Sequence, residues 1–158
     1  LPGLRVGWTV TTKEKANELW AHRDYSSLAV NGLADRLAQI ALDKRPAILE
    51  RTRSIIRQQL PMVTDWVKSH ENHPVRLSFT PPVAGAIAAV RYHHPIRSED
   101  LIERLRIERS LLVVPAHHFE MEGFLRIGYG AEPQVVTESL AITSEVLAEV
   151  AAETLVPA

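Results

Sequence analysis

The spacing of apolar residues predicts helices in the first part of the chain. Apolar side chains recur at intervals of three and four between about Leu28 and Leu42, and again over a longer stretch that begins near Pro46. A shorter helix is predicted from about Lys13 to His22, with Thr12 as its N-cap. Because the longest apolar stripe continues through Pro61, we expect that proline to kink the helix rather than end it.

After Pro74 the pattern changes to one that mixes strands with helices. Apolar and polar residues alternate from Val75 to Phe79, which predicts a strand with one buried face. Five further segments are predicted: Gly85–Tyr92 as a strand buried on both faces, Leu111–Pro115 and Phe124–Gly130 as strands, and Ser98–Glu108 and the segment from Pro133 onward as helices. We therefore expect an α+β fold, in which helices pack on a small mixed sheet and further helices precede it.

Composition excludes several classes of function. The 158 residues are 46% hydrophobic and 23% charged, close to the averages for globular proteins. A formal net charge of −1 gives no bulk electrostatic reason to bind nucleic acid or anionic lipid. The absence of cysteine excludes disulfides, cysteine-ligated zinc and a thiol nucleophile. No apolar run approaches the ~20 residues of a membrane span. We expect a cytoplasmic protein without nucleic-acid or membrane partners.

Arg5 is the first candidate for chemistry. It lies between Gly3 and Gly7 in a segment whose glycines permit unusual backbone geometry. A guanidinium held there can present its planar fork to a phosphate or a carboxylate. The pattern alone is weak, and a surface arginine beside an ordinary turn is the competing interpretation.

Arg126 is the second candidate. It lies between Leu125 and Ile127 in a predicted strand, so its side chain points away from theirs and shares a face with Phe124 and Gly128. It is either an anion clamp facing a cleft or an arginine on a solvated sheet face.

The seven histidines do not predict a metal site. His93-His94 and His117-His118 are adjacent pairs, and adjacent residues on a strand point to opposite faces. His70 and His73 lie in a loop without a third ligand nearby. We therefore expect no bound metal.

Two motifs carry a resemblance to a known family. The opening Leu1-Pro2-Gly3-Leu4-Arg5-Val6-Gly7-Trp8 resembles the segment that follows the Schiff-base lysine in class I/II aminotransferases, the aspartate-aminotransferase fold type. The segments Val114–Phe119 and Gly123–Gly128 resemble the family's late stretch, where a proline and a phenylalanine precede a strand that bears an arginine. The segment Arg45–Arg51 is similar to the link between its two domains. The resemblance covers the whole chain as a C-terminal portion.

The resemblance implies a role for each arginine. Arg5 would bind the phosphate of pyridoxal 5′-phosphate (PLP), and Arg126 would bind the α-carboxylate of an amino-acid substrate. Residues 1–44 would be the end of the large PLP-binding domain, and residues 45–158 the linking helix and small domain. The chain would contain no catalytic residue, because the lysine would lie before Leu1. None of the four lysines of the sequence is in the matching place: Lys13, Lys15, Lys44 and Lys68.

The implied parent is a homodimeric biosynthetic enzyme that transfers an amino group between an amino acid and a 2-oxo acid. The fragment alone would be inactive. Several alternatives remain open at this point. The same fold and the same arginines would serve a PLP-dependent C–S lyase or a ring-forming synthase. An aminotransferase-like sensor domain of a transcription regulator and a free-standing interaction module are also compatible with these residues.

Overall fold

The computed structural model describes residues 1–27 and 29–154. The chain divides into two compact units, Leu1–Arg51 and Thr52–Ala158. The division falls within the longest helix, α3 (Arg45–Ser69), which runs through Pro61 as predicted. Pro46 lies in its first turn, where the missing N–H of proline costs no hydrogen bond.

The first unit contains two helices before α3, and side-chain caps set where each begins. In α1 (Lys13–Arg23), Thr12 Oγ1 accepts a hydrogen bond from the Lys15 N–H at 3.3 Å, as predicted. Helix α2 (Gly32–Asp43) begins later than predicted, because Asn31 Oδ1 accepts from two backbone N–H groups of its first turn. The predicted starting residue, Leu28, lies outside the described residues.

Apolar side chains of the first unit are largely exposed. Within its described part, Ala34 is the only buried hydrophobic residue. Trp8 is 70% exposed and Trp20 63% exposed, and three leucines and one isoleucine of α2 are also exposed to solvent. The apolar stripe predicted for α2 is therefore present, but the unit does not bury it.

The second unit contains a four-stranded sheet. Its strands are β1 (Arg76–Phe79), β2 (Ile87–His93), β3 (Val114–Pro115) and β4 (Phe124–Gly128), in the order β1-β2-β4-β3. Every neighbouring pair is antiparallel, so the prediction of a mixed sheet is wrong. Strands β2 and β3 run in the same direction, but β4 returns between them and separates them. The α+β class is confirmed.

One face of the sheet is buried and the other is open within this unit. Burial alternates along β2, where Ala88, Val90 and Tyr92 are buried while Ala89 and Arg91 are exposed. The prediction that this segment is buried on both faces is therefore wrong. Helices α3, α4 (Ser98–Arg109) and α5 (Pro133–Thr154) contribute to a single core with the inward residues of the sheet. The described residues of this unit form no equivalent core on the opposite face.

Buried polar groups fix the core at specific points. Trp66 Nε1 donates to Ser144 Oγ at 2.8 Å and joins α3 to α5. The hydroxyl of the fully buried Tyr129 donates to the Gly85 carbonyl at 2.9 Å. Each bond satisfies a polar group that burial would otherwise penalise.

Candidate functional site

Arg5 is held by a tight turn. It follows a 3-10 turn at Pro2–Leu4, and its N–H donates to the Pro2 carbonyl at 3.1 Å. Its φ of 52° lies in the left-handed region, which residues other than glycine adopt infrequently. The turn therefore takes Arg5 out of regular helix or strand geometry and fixes the direction in which its side chain leaves the backbone.

The Arg5 side chain lines an open cleft of about 680 Å³ within the first unit. Arg23 lines the same cleft, and its guanidinium lies 5.5 Å from the centre of the Trp20 ring. The described residues that form this cleft include no aspartate or glutamate. Two guanidinium groups without a lining carboxylate suit a phosphate, which carries about two negative charges at neutral pH. The cleft therefore fits the phosphate of the cofactor that the resemblance implies.

Arg126 lies on the open face of β4, as its alternation with Leu125 and Ile127 predicted. The guanidinium carbon lies 4.1 Å from the centre of the Phe119 ring, a cation–π contact that holds the side chain over the short turn after β3. Ala89 is its cross-strand partner on β2. Because Ala89 and Gly128 are small, they leave space beside the guanidinium on this face.

No carboxylate neutralises Arg126 within residues 1–27 and 29–154, since none of the ion pairs or side-chain hydrogen bonds found there includes it. The side chain is half-buried and oriented by an aromatic ring, yet its five N–H donors have no protein anion to bind. Such an arginine is available for a carboxylate ligand.

Glu122 positions the start of β4 and was missed by sequence reasoning. Its carboxylate accepts from the Ser98 N–H at 2.6 Å and from Ser98 Oγ at 2.8 Å, which caps α4 from 24 residues away. These hydrogen bonds from the Ser98 backbone and side chain lower the pKa of Glu122. The sequence marks Ser98 as a helix start, but nothing local to it names a distant acceptor.

Tyr92 lies in the same region, and the pKa of its hydroxyl is well above the ordinary value. Burial, with a smaller contribution from the Glu122 charge, raises the pKa of Tyr92 to about 12. Its hydroxyl donates to the Ile96 carbonyl at 2.9 Å. Tyr92 therefore stays protonated and acts as a structural hydrogen-bond donor.

His70, His117 and His118 make close contacts with other groups of the chain. His70 is buried, and its Nδ1 lies 2.9 Å from the Trp66 carbonyl oxygen. The rings of His117 and His118 are tilted by 53° to each other, with their centres 4.2 Å apart. In the described part of the chain, no group of three or more histidine, aspartate or glutamate side chains is placed to hold a metal ion. The same part contains no helix long and apolar enough to cross a membrane.

Arg5 belongs to the first unit and Arg126 to the second. The family resemblance included Phe119, but sequence analysis did not predict that its ring contacts and orients Arg126. Phe119 lies in a turn outside β4, where no periodicity connects it to the strand.

Comparison with known proteins decides which family is involved. No family model matches the chain. Capreomycidine synthase from Streptomyces vinaceus is 31% identical over 147 residues, or 93% of this chain. The 3-methylarginine biosynthesis aminotransferase ArgM from Streptomyces arginensis is 28% identical over 92% of it. A PLP-dependent aminotransferase from Streptococcus suis superposes with a TM-score of 0.84 and 29% identity, over 94% of this chain.

The chain is a homologue of PLP-dependent aminotransferases. It spans 37% of the length of both curated relatives and 39% of the Streptococcus suis structure. LysN, an α-aminoadipate aminotransferase from Thermus thermophilus, superposes with a TM-score of 0.79 at 21% identity, which shows the common fold. The resemblance read from the two arginine motifs is thus confirmed at the level of the family.

Proposed function

We propose that the chain is the C-terminal portion of a PLP-dependent aminotransferase that moves an amino group between an amino acid and a 2-oxo acid. The observation that carries this proposal is Arg126, a half-buried and oriented guanidinium without a carboxylate partner in the described chain. The family relationship supports it. Residues 1–44 would be the end of the large domain and residues 45–158 the linking helix and small domain.

Arg5 would hold the phosphate of PLP. An arginine guanidinium is charged at any physiological pH, so it offsets the phosphate without a proton that could be lost. Arg23, on the same cleft, adds a second positive charge. When bound, PLP stores the electron pair left on the substrate's α-carbon. The protein's task at this end is to anchor the cofactor.

Arg126 would bind the α-carboxylate of the substrate through two parallel N–H···O bonds. The Phe119 ring beneath it restricts the side chain before substrate arrives, so less entropy is lost on binding. A carboxylate fixed in this way orients the bond at the α-carbon that is to be broken, which is a positioning effect.

We also propose that the chain is part of a larger folded protein, and that this protein forms a homodimer. The apolar side chains exposed by the first unit, such as Trp8 and Trp20, support burial against further protein. The resemblance places the proton-transferring lysine outside residues 1–158, so we expect the 158-residue chain by itself to be inactive.

A second candidate function is a PLP-dependent synthase of the same fold. One of the curated relatives is named a synthase, and the two arginines would serve it equally well. A product assay on the longer enzyme separates these two candidates from each other and from the C–S lyase, which the same arginines would also serve. Dependence of turnover on a 2-oxo-acid acceptor supports the aminotransferase. Conversion of the amino acid without an acceptor supports the synthase, and release of pyruvate and ammonia without an acceptor supports the lyase.

The cofactor role of Arg5 has its own experiment in that enzyme. Arg5→Ala should weaken PLP binding, measured by cofactor retained after dialysis, by roughly a hundredfold in dissociation constant. The matched control is Arg36→Ala, because Arg36 lies in the same unit and its Nη1 donates to Gln39 Oε1 at 2.6 Å. Equal PLP affinity in the two variants would remove the phosphate role from Arg5.

A further inference from the structure

The arginines between positions 76 and 126 fall into two groups. On α4 and just before it, Arg97, Arg104, Arg106 and Arg109 each form an ion pair with a carboxylate. On the open face of the sheet, Arg76, Arg91 and Arg126 form none within the described residues. No strand of the described sheet contains an aspartate or a glutamate. The open face therefore carries positive charge that the fold does not neutralise.

Two of these arginines lie at one end of the face, together with a hydroxyl and an imidazole. Arg76 on β1 is the cross-strand partner of His93 on β2, and Ser78 is the partner of Arg91. These four residues, the β1–β2 cluster, occupy neighbouring positions on one face of two hydrogen-bonded strands. Across such a pair, direct neighbours have Cβ atoms about 5 Å apart and diagonal neighbours about 7–8 Å apart. All four side chains can therefore reach one small ligand.

A hydrogen bond at the centre of the cluster holds its polar groups in place. Ser78 Oγ lies 2.8 Å from His93 Nε2, and both side chains are half-buried. The Arg91 guanidinium carbon lies 5.8 Å from the centre of the Phe124 ring, which supports that side chain from the neighbouring strand. These contacts hold Ser78, His93 and Arg91 in place.

The pKa of His93 reflects the positive charge around it. Partial burial and the positive charges of Arg76 and Arg91 lower the pKa of His93. Arg91 and His93 also line a surface cavity of about 240 Å³, and Glu122, the acidic residue among its described lining, is already bound by the Ser98 N–H and hydroxyl. Arg97, on the same cavity, is paired with Glu99 and Asp100.

We propose that the β1–β2 cluster binds a phosphate group, with Arg76 and Arg91 as its charged ligands and Ser78 and His93 as hydrogen-bonding partners. A phosphate group offers oxygens to both guanidinium forks, and its charge near −2 balances two arginines, which one carboxylate does not. The site does not include Arg126 or Arg5. It is therefore independent of the proposed aminotransferase function.

The test is an NMR titration of the ¹⁵N-labelled 158-residue chain with inorganic phosphate and, separately, with O-phosphoserine, at constant ionic strength set by chloride. We expect saturable shifts of backbone amides in β1 and β2. Arg76→Gln and Arg91→Gln should each weaken binding about tenfold or more. The matched control, Arg106→Gln, removes the same charge from an exposed ion pair on α4 and should leave binding unchanged.

Saturation by both probes shows that the site accepts phosphate monoesters, and saturation by inorganic phosphate alone shows that it takes the free anion. Either result supports the site if the arginine variants lose binding. Shifts that fail to saturate, that chloride reproduces, or that Arg106→Gln reduces as much as Arg91→Gln would overturn it. Saturable shifts confined to the Arg5 segment would also overturn it, while leaving the proposed cofactor role intact. The amide spectra of Arg76→Gln and Arg91→Gln without ligand, compared with wild type, check that a loss of binding does not reflect misfolding.

Discussion

Removing the carboxylate of Glu122 should destabilise the second unit by about 2 kcal/mol. In Glu122→Ala the fully buried Ser98 loses acceptors for both its backbone N–H and its hydroxyl. Loss of a helix N-cap costs about 1 kcal/mol, and a buried donor left without a partner costs about 1–3 kcal/mol. Water can reach the exposed position of Glu122 and replace some of the lost hydrogen bonds. We therefore expect a loss of stability near the lower end of the range obtained by adding the two costs.

Urea unfolding followed by tryptophan fluorescence measures this loss. Trp66 is the buried tryptophan, at 9% exposure, and it reports on the second unit. With a slope of about 2 kcal/mol per molar urea, a loss of about 2 kcal/mol lowers the unfolding midpoint by roughly 1 M. The control Glu120→Gln changes the charge of an exposed residue in the same turn and should shift stability by less than about 0.5 kcal/mol.

The pH dependence provides a second check on Glu122. Hydrogen bonds from Ser98 place the folded pKa of Glu122 below its unfolded value, which is about 4.3. The carboxylate therefore stabilises the fold at pH values above about 4.3, and that stabilisation is lost as the pH falls through the folded pKa. Wild type should exceed Glu122→Gln in stability at pH 7, and the difference should vanish in strong acid. Equal stability at pH 7, or a difference unchanged by acid, would refute the capping role.

Three further predictions concern other parts of the chain. Tyr129→Phe leaves the Gly85 carbonyl without its donor and should cost about 1–2 kcal/mol in urea unfolding, whereas Tyr25→Phe, at an exposed side chain, should cost almost nothing. Burial lowers the pKa of His70, so the unfolded chain binds the extra proton and stability should fall as the pH drops below about 6.5. His70→Gln should flatten that dependence and the exposed His118→Gln should not; equal profiles would contradict this account of His70. The apolar side chains exposed on α2 should make the isolated chain self-associate, with sedimentation that depends on concentration; Leu33→Glu should weaken association more than Gln39→Glu, and a strictly monomeric chain would argue against it.

Helix positions could be predicted from the sequence, because caps and apolar periodicity act locally. Thr12 and the stripe through Pro61 are examples. The start of α2 was misplaced because apolar periodicity gave less information there than the side chain of Asn31. The open face of β2 was missed for a different reason. Alanine and other small apolar residues suit either face, and only the fold shows which one the helices cover.

Some features of the candidate site could likewise be predicted from the sequence, and others could not. The direction of Arg126 follows from the two-residue period of a strand, which is a local rule. Its contact with Phe119 and the capping of Ser98 by Glu122 depend on turns that bring separate segments together. No pattern in the sequence specifies those turns. The uncompensated charge of the β1–β2 cluster likewise becomes visible only once strand register is known.

The role of Arg126 is the central claim, and substrate affinity in the complete enzyme tests it most directly. Arg126→Lys keeps the positive charge but loses the two-pronged fork. We predict that this variant retains PLP while its KM for the amino acid rises, and that Arg126→Ala raises it by roughly a hundredfold. Arg106→Ala, at an exposed ion pair on α4, should change neither quantity. An unchanged KM in Arg126→Ala with PLP fully bound would contradict the account.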